Sequence, residues 1–218
     1  MNNEKKIFLA VVVIILLLIA GALVKNSYRK THHKIPYYSF NMQSGEISTS
    51  RDSSFTVGDF SFTDQNGKVV TQKEVGNVIY VADYFFASCP GICKAMANEL
   101  QKVYITFKDE PRVKIVSYTS KPEEDSTEAL MNYAMRNGVT DHNKWLFLTG
   151  DKKHLYKLAR EQYFIVNDVG DGGEDDFIHT ERLVLIDPDK HIRGYYDGTS
   201  EQDVQKLIKD IKSLLNEF

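Results

Sequence analysis

Cys89 and Cys93 are the chain's two cysteines, and they stand close together in Phe85-Phe86-Ala87-Ser88-Cys89-Pro90-Gly91-Ile92-Cys93-Lys94. The residues before them read as a buried strand and the residues after them as a helix. A thiol at a helix N-terminus meets unpaired backbone N–H groups and the positive end of the helix dipole, so its thiolate is favoured. Paired thiols of this kind can exchange with a disulfide or grip a soft metal ion. Buried, purely structural cysteines are the bland alternative. Position argues against it: Ser88-Cys89-Pro90-Gly91 reads as an exposed turn, with Pro90 suited to the first helical position.

Thioredoxin-type redox motifs place two residues between their cysteines, whereas this chain places three. The longer spacing lets both sulfurs line one side of the first helical turn. Such a pair still oxidises, but it also makes a two-thiolate clamp for Cu(I) or Zn that needs a further ligand. His32 and His33 lie in a basic polar stretch, His142 and His154 flank a strand, and His191 falls in a turn. All five read as solvated side chains. His179 differs because it follows the acidic, glycine-rich Gly170–Asp176 segment, expected to be a mobile surface loop, and leads into a strand. It is the candidate third ligand, since imidazole suits copper. Met96 lies on a helical apolar stripe and reads as core.

The elements that must position these residues follow from periodicity. Phe60 to Val70 reads as a hairpin turning at Asn66-Gly67. The stretch from Asn77 to Phe86 is almost continuously apolar, as in a central strand covered on both faces, with Asp83 as its interruption. A helix is expected from the cysteine turn to about Phe107, a strand over Val113–Tyr118 and a helix over Ser126–Asn137 ended by Gly138. A strand over Trp145–Leu148 and a helix capped by Asp151 come next. A hairpin over Arg182–Tyr196 and a helix over Glu201–Asn216 close the chain. The order βαβαβα-ββα predicts an α/β, thioredoxin-like mixed sheet flanked by helices. Its reactive turn sits at the carboxyl end of a central strand, where open sheets place their sites.

The 218-residue chain carries a net charge of −3, which gives no basic surface for nucleic acid. After a short flank (1–6), residues 7–24 are uncharged and apolar and would reach about 27 Å as a helix at ~1.5 Å per residue. That length fits a single transmembrane helix. A cleaved signal peptide is the competing reading, because Ala20-Gly21-Ala22 resembles a small-residue cleavage site. Lysines and arginines flank both ends, so charge alone does not orient the span. Residues 25–54 read as a polar tether and 55–218 as one domain of about 160 residues, an ordinary single-domain size.

Phe85-Phe86-Ala87-Ser88-Cys89-Pro90-Gly91-Ile92-Cys93, together with Phe177-Ile178-His179-Thr180-Glu181-Arg182-Leu183-Val184-Leu185-Ile186-Asp187-Pro188-Asp189, resembles the Sco/SenC family of membrane-anchored copper proteins. The closing Ile192–Thr199 stretch is similar to that family's last hairpin. The resemblance implies that Cys89, Cys93 and His179 are copper ligands. It also implies a domain on the extracytoplasmic, periplasmic side of the cytoplasmic membrane. Its implied partner is the copper-containing subunit of cytochrome c oxidase, whose dinuclear centre it would help assemble. Two positions depart from the family pattern: Lys94 stands where many members have proline, and Ser117-Tyr118-Thr119-Ser120 replaces a common Ser-Val-Asp-Pro. Neither removes a ligand, and a lysine beside Cys93 favours its thiolate. A metal-independent thiol–disulfide oxidoreductase is the alternative function. A thiol peroxidase is weaker, because no threonine or arginine flanks Cys89 closely.

Overall fold

The computed structural model describes residues 12–21, 35–41, 46–50, 55–166 and 170–218. Its larger compact unit runs from Ile35 to Phe218. Strands β1 (Tyr37–Asn41) and β2 (Glu46–Ser50) form an antiparallel hairpin. Then come β3 (Ser61–Asp64), β4 (Val69–Thr71), a short α1 (Gln72–Val75), β5 (Ile79–Phe85), α2 (Ile92–Thr106), β6 (Val113–Thr119), α3 (Thr127–Arg136) and β7 (Trp145–Thr149). Helix α4 (Lys152–Lys157) runs into a π-helical turn, Leu158–Gln162, and β8 (Arg182–Ile186), β9 (Ile192–Asp197) and α5 (Glu201–Leu215) complete the domain.

The main sheet has seven strands in the order β4-β3-β7-β6-β5-β8-β9. Strands β5, β6 and β7 are parallel, and the flanking pairings are antiparallel. All seven residues of β5 are buried, as expected of a strand covered on both faces. Ile79, Val81 and Phe85 face the layer of α2, α3 and α5, where Met96 and Leu100 pack with Tyr133 and Leu207. Tyr80, Ala82 and Tyr84 face the opposite layer, with Leu155, Leu158 and Tyr163. The sheet is thus sandwiched between two apolar layers, the thioredoxin-like mixed arrangement expected. Gly67, with φ +77°, closes the β3–β4 turn in a conformation that suits glycine.

Residues 37–41 and 46–50 were expected to belong to a polar tether, yet they form a hairpin against the domain. Its anchor is Arg193, fully buried on β9. The guanidinium donates to the Asp187 carboxylate (2.8 Å) and the Ile35 carbonyl (2.8 Å), and it lies 4.3 Å over the Tyr37 ring. Phe40 stacks on Phe164 at 4.3 Å between centroids.

Residues 12–21 are helical and expose Val13, Leu16, Leu17 and Leu18. The expected span over residues 7–24 falls partly outside the described residues. Among the described residues, no helix is long and apolar enough to cross a membrane.

Candidate metal centre

Helix α2 begins two residues later than the sequence suggested, at Ile92 and not at Pro90. Gly91 is its N-cap and Ile92 its first residue, so Pro90 lies before the helix. Cys93 sits in the first turn, whereas Cys89 precedes the cap. Only Cys93 therefore occupies the helix proper, and Cys89 is folded back over its open end. The turn is held from below. Cys89 donates its N–H to the Phe86 carbonyl at 3.2 Å, and the buried Asp125 carboxylate accepts the Ala87 N–H at 3.1 Å. Ser120, just past β6, donates to the Phe85 carbonyl through its N–H (2.7 Å) and its hydroxyl (3.1 Å).

This geometry makes the two thiols unlike. Cys89 is half-buried and accepts the Cys93 backbone N–H at 3.4 Å. Burial alone would raise its pKa. The Cys93 side chain and the N–H groups of Gly91, Cys93 and Ile92 outweigh burial, so the Cys89 thiol is held below its ordinary value. Cys93 is 3 % exposed. Burial, with the adjacent Cys89 sulfur, pushes it up to about 12. Cys89 is the nucleophilic thiol and Cys93 the sheltered one. With limiting iodoacetamide at pH 7.5, Cys89 should be alkylated at least about tenfold faster than Cys93, read by peptide mass spectrometry, because the thiolate is the reacting species. Equal rates would remove the asymmetry.

His179 is exposed, on the segment leading into β8. Its ring lies 6.0 Å from Phe177, nearly parallel, and 6.4 Å from Phe86. The Phe86 backbone carbonyl accepts the Cys89 N–H while the Phe86 ring faces His179, so one residue borders both the histidine and the cysteine turn. They are not a formed ligand set: among the described residues, no group of three His, Cys, Asp or Glu side chains could hold a metal ion. An open groove of about 920 Å³ runs beside Phe86 and Phe177, bounded by Ser120, Lys121, Glu124 and Gly172. Lys121 Nζ stands 5.0 Å from the Phe86 ring centre.

Among the described residues, the other histidines stay apart from the turn. His142 contacts Asn66 at 3.1 Å, and His154 pairs with Asp151 at 3.5 Å. His191 packs edge-on against Tyr37 and lies 3.4 Å from Asp187, so it is partly buried and not fully solvated as expected. His32 and His33 lie outside the described residues. Met96 is buried in the core, as its helical stripe implied.

Asp83, the one polar residue of β5, has partners that the sequence does not announce. It is 2 % exposed, on the α2 side of β5, and accepts the Ser117 hydroxyl, which accepts the Trp145 indole N–H at 2.8 Å. Burial raises its pKa to about 7 against the pull of the Ser117 hydrogen bond, and its charge contributes to the elevation at Cys93. A carboxyl within an otherwise apolar strand was the available signal.

A dithiol at the carboxyl end of a central strand, on a mixed sheet between helices, defines a thioredoxin-like thiol protein. The SCO1/SenC family model matches residues 48–216, and the chain belongs to that family. It is 28% identical over 161 residues to the SCO1 protein homolog of Bacillus subtilis, covering 73% of this chain and 82% of that protein. The solved structure of BsSco, a member of the Sco family of cytochrome c oxidase assembly proteins with an identified disulfide switch, is 27% identical with a TM-score of 0.62. The match covers 73% of this chain and 93% of that one. Copper-bound ScoI of Bradyrhizobium japonicum shares the fold at 23% identity and a TM-score of 0.58, over 73% of this chain and 99% of that one.

Proposed function

We propose that this chain binds copper through the Cys89 and Cys93 thiolates and the His179 imidazole, and carries it to the copper-containing subunit of cytochrome c oxidase during assembly of the dinuclear centre. The observation that carries this reading is the pair of unlike thiols at the mouth of α2 with His179 one aromatic ring away. Two soft sulfur donors and one imidazole suit copper. The cysteine turn supplies two donors already side by side, and the exposed His179 supplies the third. Copper would be held where the His179 imidazole meets the two sulfurs. The test is copper retention by the reduced protein with and without the His179 imidazole.

The apolar run 7–24 acts as a membrane anchor in this reading, holding the domain on the extracytoplasmic side of the cytoplasmic membrane. Support comes from its length, near that of a bilayer core, and from the family resemblance.

A second role is favoured by the thiol asymmetry. The Cys89 thiolate attacks a disulfide sulfur of a partner, and the leaving sulfur departs as thiolate. Cys93 then displaces the mixed disulfide, so the partner gains two thiols as Cys89 and Cys93 become a disulfide. Such reduction would prepare the cysteines of a copper-receiving subunit.

A further inference from the structure

His179 lies on a connecting segment, and a ligand on a loop is held less precisely than one on a strand or helix. The segment is nevertheless pinned on both sides of Phe177. The Asp176 carboxylate accepts both Nη1 and Nη2 of Arg160, each at 2.8 Å, and the Gly172 N–H at 2.7 Å. The two charged side chains are 12% and 10% exposed. The fork of two parallel charge-assisted bonds fixes direction as well as distance. It also holds the Asp176 carboxyl below the ordinary carboxylate range, with the Arg160 hydrogen bonds as the main cause. The Gly170–Asp176 segment is thus tied down, contrary to its expected freedom. Arg160 belongs to the π-helical turn, a widened turn often found at functional sites.

Tyr156 makes the second tie. Its ring lies 5.4 Å from the Arg160 guanidinium. Its hydroxyl donates to the Ser120 carbonyl at 2.8 Å and accepts the Ile178 N–H at 3.3 Å. Ser120 in turn bonds the Phe85 carbonyl, at the end of the strand that leads to Cys89. One chain of contacts therefore joins Asp176, Arg160, Tyr156, Ser120 and Phe85. Ile178 is buried, whereas its neighbours Phe177 and His179 are exposed. The bracket takes its hold on alternate residues of this segment and leaves His179 free.

We propose that Arg160, Asp176 and Tyr156 are positioning residues that bracket the His179 segment to the cysteine turn and so set the histidine's reach to bound copper. This rests on the copper reading above. Outer partners of metal ligands are worth ten- to a hundredfold in affinity. Asp176→Asn keeps the shape of the side chain but weakens the fork, and should loosen copper binding at least about tenfold in competition with a chelator. The electron paramagnetic resonance spectrum of its Cu(II) form should change, while the Cys89 alkylation rate stays at the wild-type value. Tyr156→Phe acts through the other tie and should weaken copper in the same way; it serves equally if Asp176→Asn fails to fold. If Asp176→Asn and Tyr156→Phe keep full affinity and an unchanged spectrum while His179→Ala loses copper, the bracket is overturned and the copper site stands. If His179→Ala also keeps full affinity, the bracket and the copper site fall together.

Discussion

Cys89→Ser is expected to abolish copper retention by the reduced protein, and Cys93→Ser to do the same. A serine hydroxyl is a hard donor that keeps its proton at neutral pH, so each change leaves one soft sulfur where the proposed site needs two. The loss should exceed the ten- to hundredfold that follows removal of an outer partner. The two variants separate in their remaining thiol chemistry. Cys89→Ser leaves only the sheltered Cys93, whose thiol burial still holds above its ordinary value, and reaction with iodoacetamide should nearly stop. Cys93→Ser keeps Cys89 with the backbone N–H of residue 93 still able to donate to its sulfur, so alkylation should persist. Copper counted per chain after gel filtration, with alkylation timed on the same samples, reads both effects. Full copper in either variant would show that one thiol suffices and would contradict the clamp.

Asp83→Asn is expected to stabilise the domain above neutral pH and to do little at pH 4. The native carboxyl keeps its proton up to about 7, while the unfolded chain releases it near the ordinary value of ~3.9. Between those values the native state binds more protons than the unfolded state, so this group's contribution falls as pH rises. Above both values the cost is on the order of 4 kcal/mol at face value. Asparagine has no charge to release, and its carbonyl can still accept the Ser117 hydroxyl. Urea unfolding of wild type and variant at pH 4.5 and pH 8 should show a gap of about 2–4 kcal/mol at the higher pH that shrinks at the lower. Taking the difference between the two proteins cancels carboxylates with depressed pKa values, such as Asp176 and Asp197, whose pH dependence runs the other way. A gap of equal size at both pH values would show that Asp83 is not held neutral. Loss of this charge should also ease ionisation of Cys93.

Much of the fold was legible because local signals and burial agree. Val78 to Phe86 is apolar on both alternations except at Asp83, and β5 is buried throughout. Gly67 and Gly138, both at positive φ, mark turns where the Asn-Gly pair and the helix end placed them. The α2 stripe of Met96, Leu100 and Val103 faces the core as its spacing required. The hairpin of β1 and β2 was not legible, because its residues are largely polar and what holds it is remote. Arg193 reaches the Ile35 carbonyl and Tyr37 from the far end of the chain.

At the site, Cys89, Cys93 and His179 stood out by residue type and neighbourhood, and the fold places His179 near the turn without closing it into a ligand set. The start of α2 was misplaced because proline at the first helical position is a preference, and here Gly91 takes the cap instead. The ties on the His179 segment escaped sequence reading altogether. Nothing local pairs Arg160 with Asp176, and the π-helical turn that presents Arg160 has no periodicity to betray it. The acidic, glycine-rich composition of Gly170–Asp176 suggested freedom, when its last carboxylate is its anchor.

The most direct test of the central claim is a copper count. The protein would be reduced, loaded with copper, freed of excess metal and assayed for copper per chain, alongside His179→Ala. Wild type is expected to retain about one copper and the variant to lose it, with an unchanged capacity of Cys89 and Cys93 to form a disulfide in both. Equal retention by the two proteins would remove His179 from the site. No retention by either would contradict a copper site and leave disulfide exchange as the function of the pair.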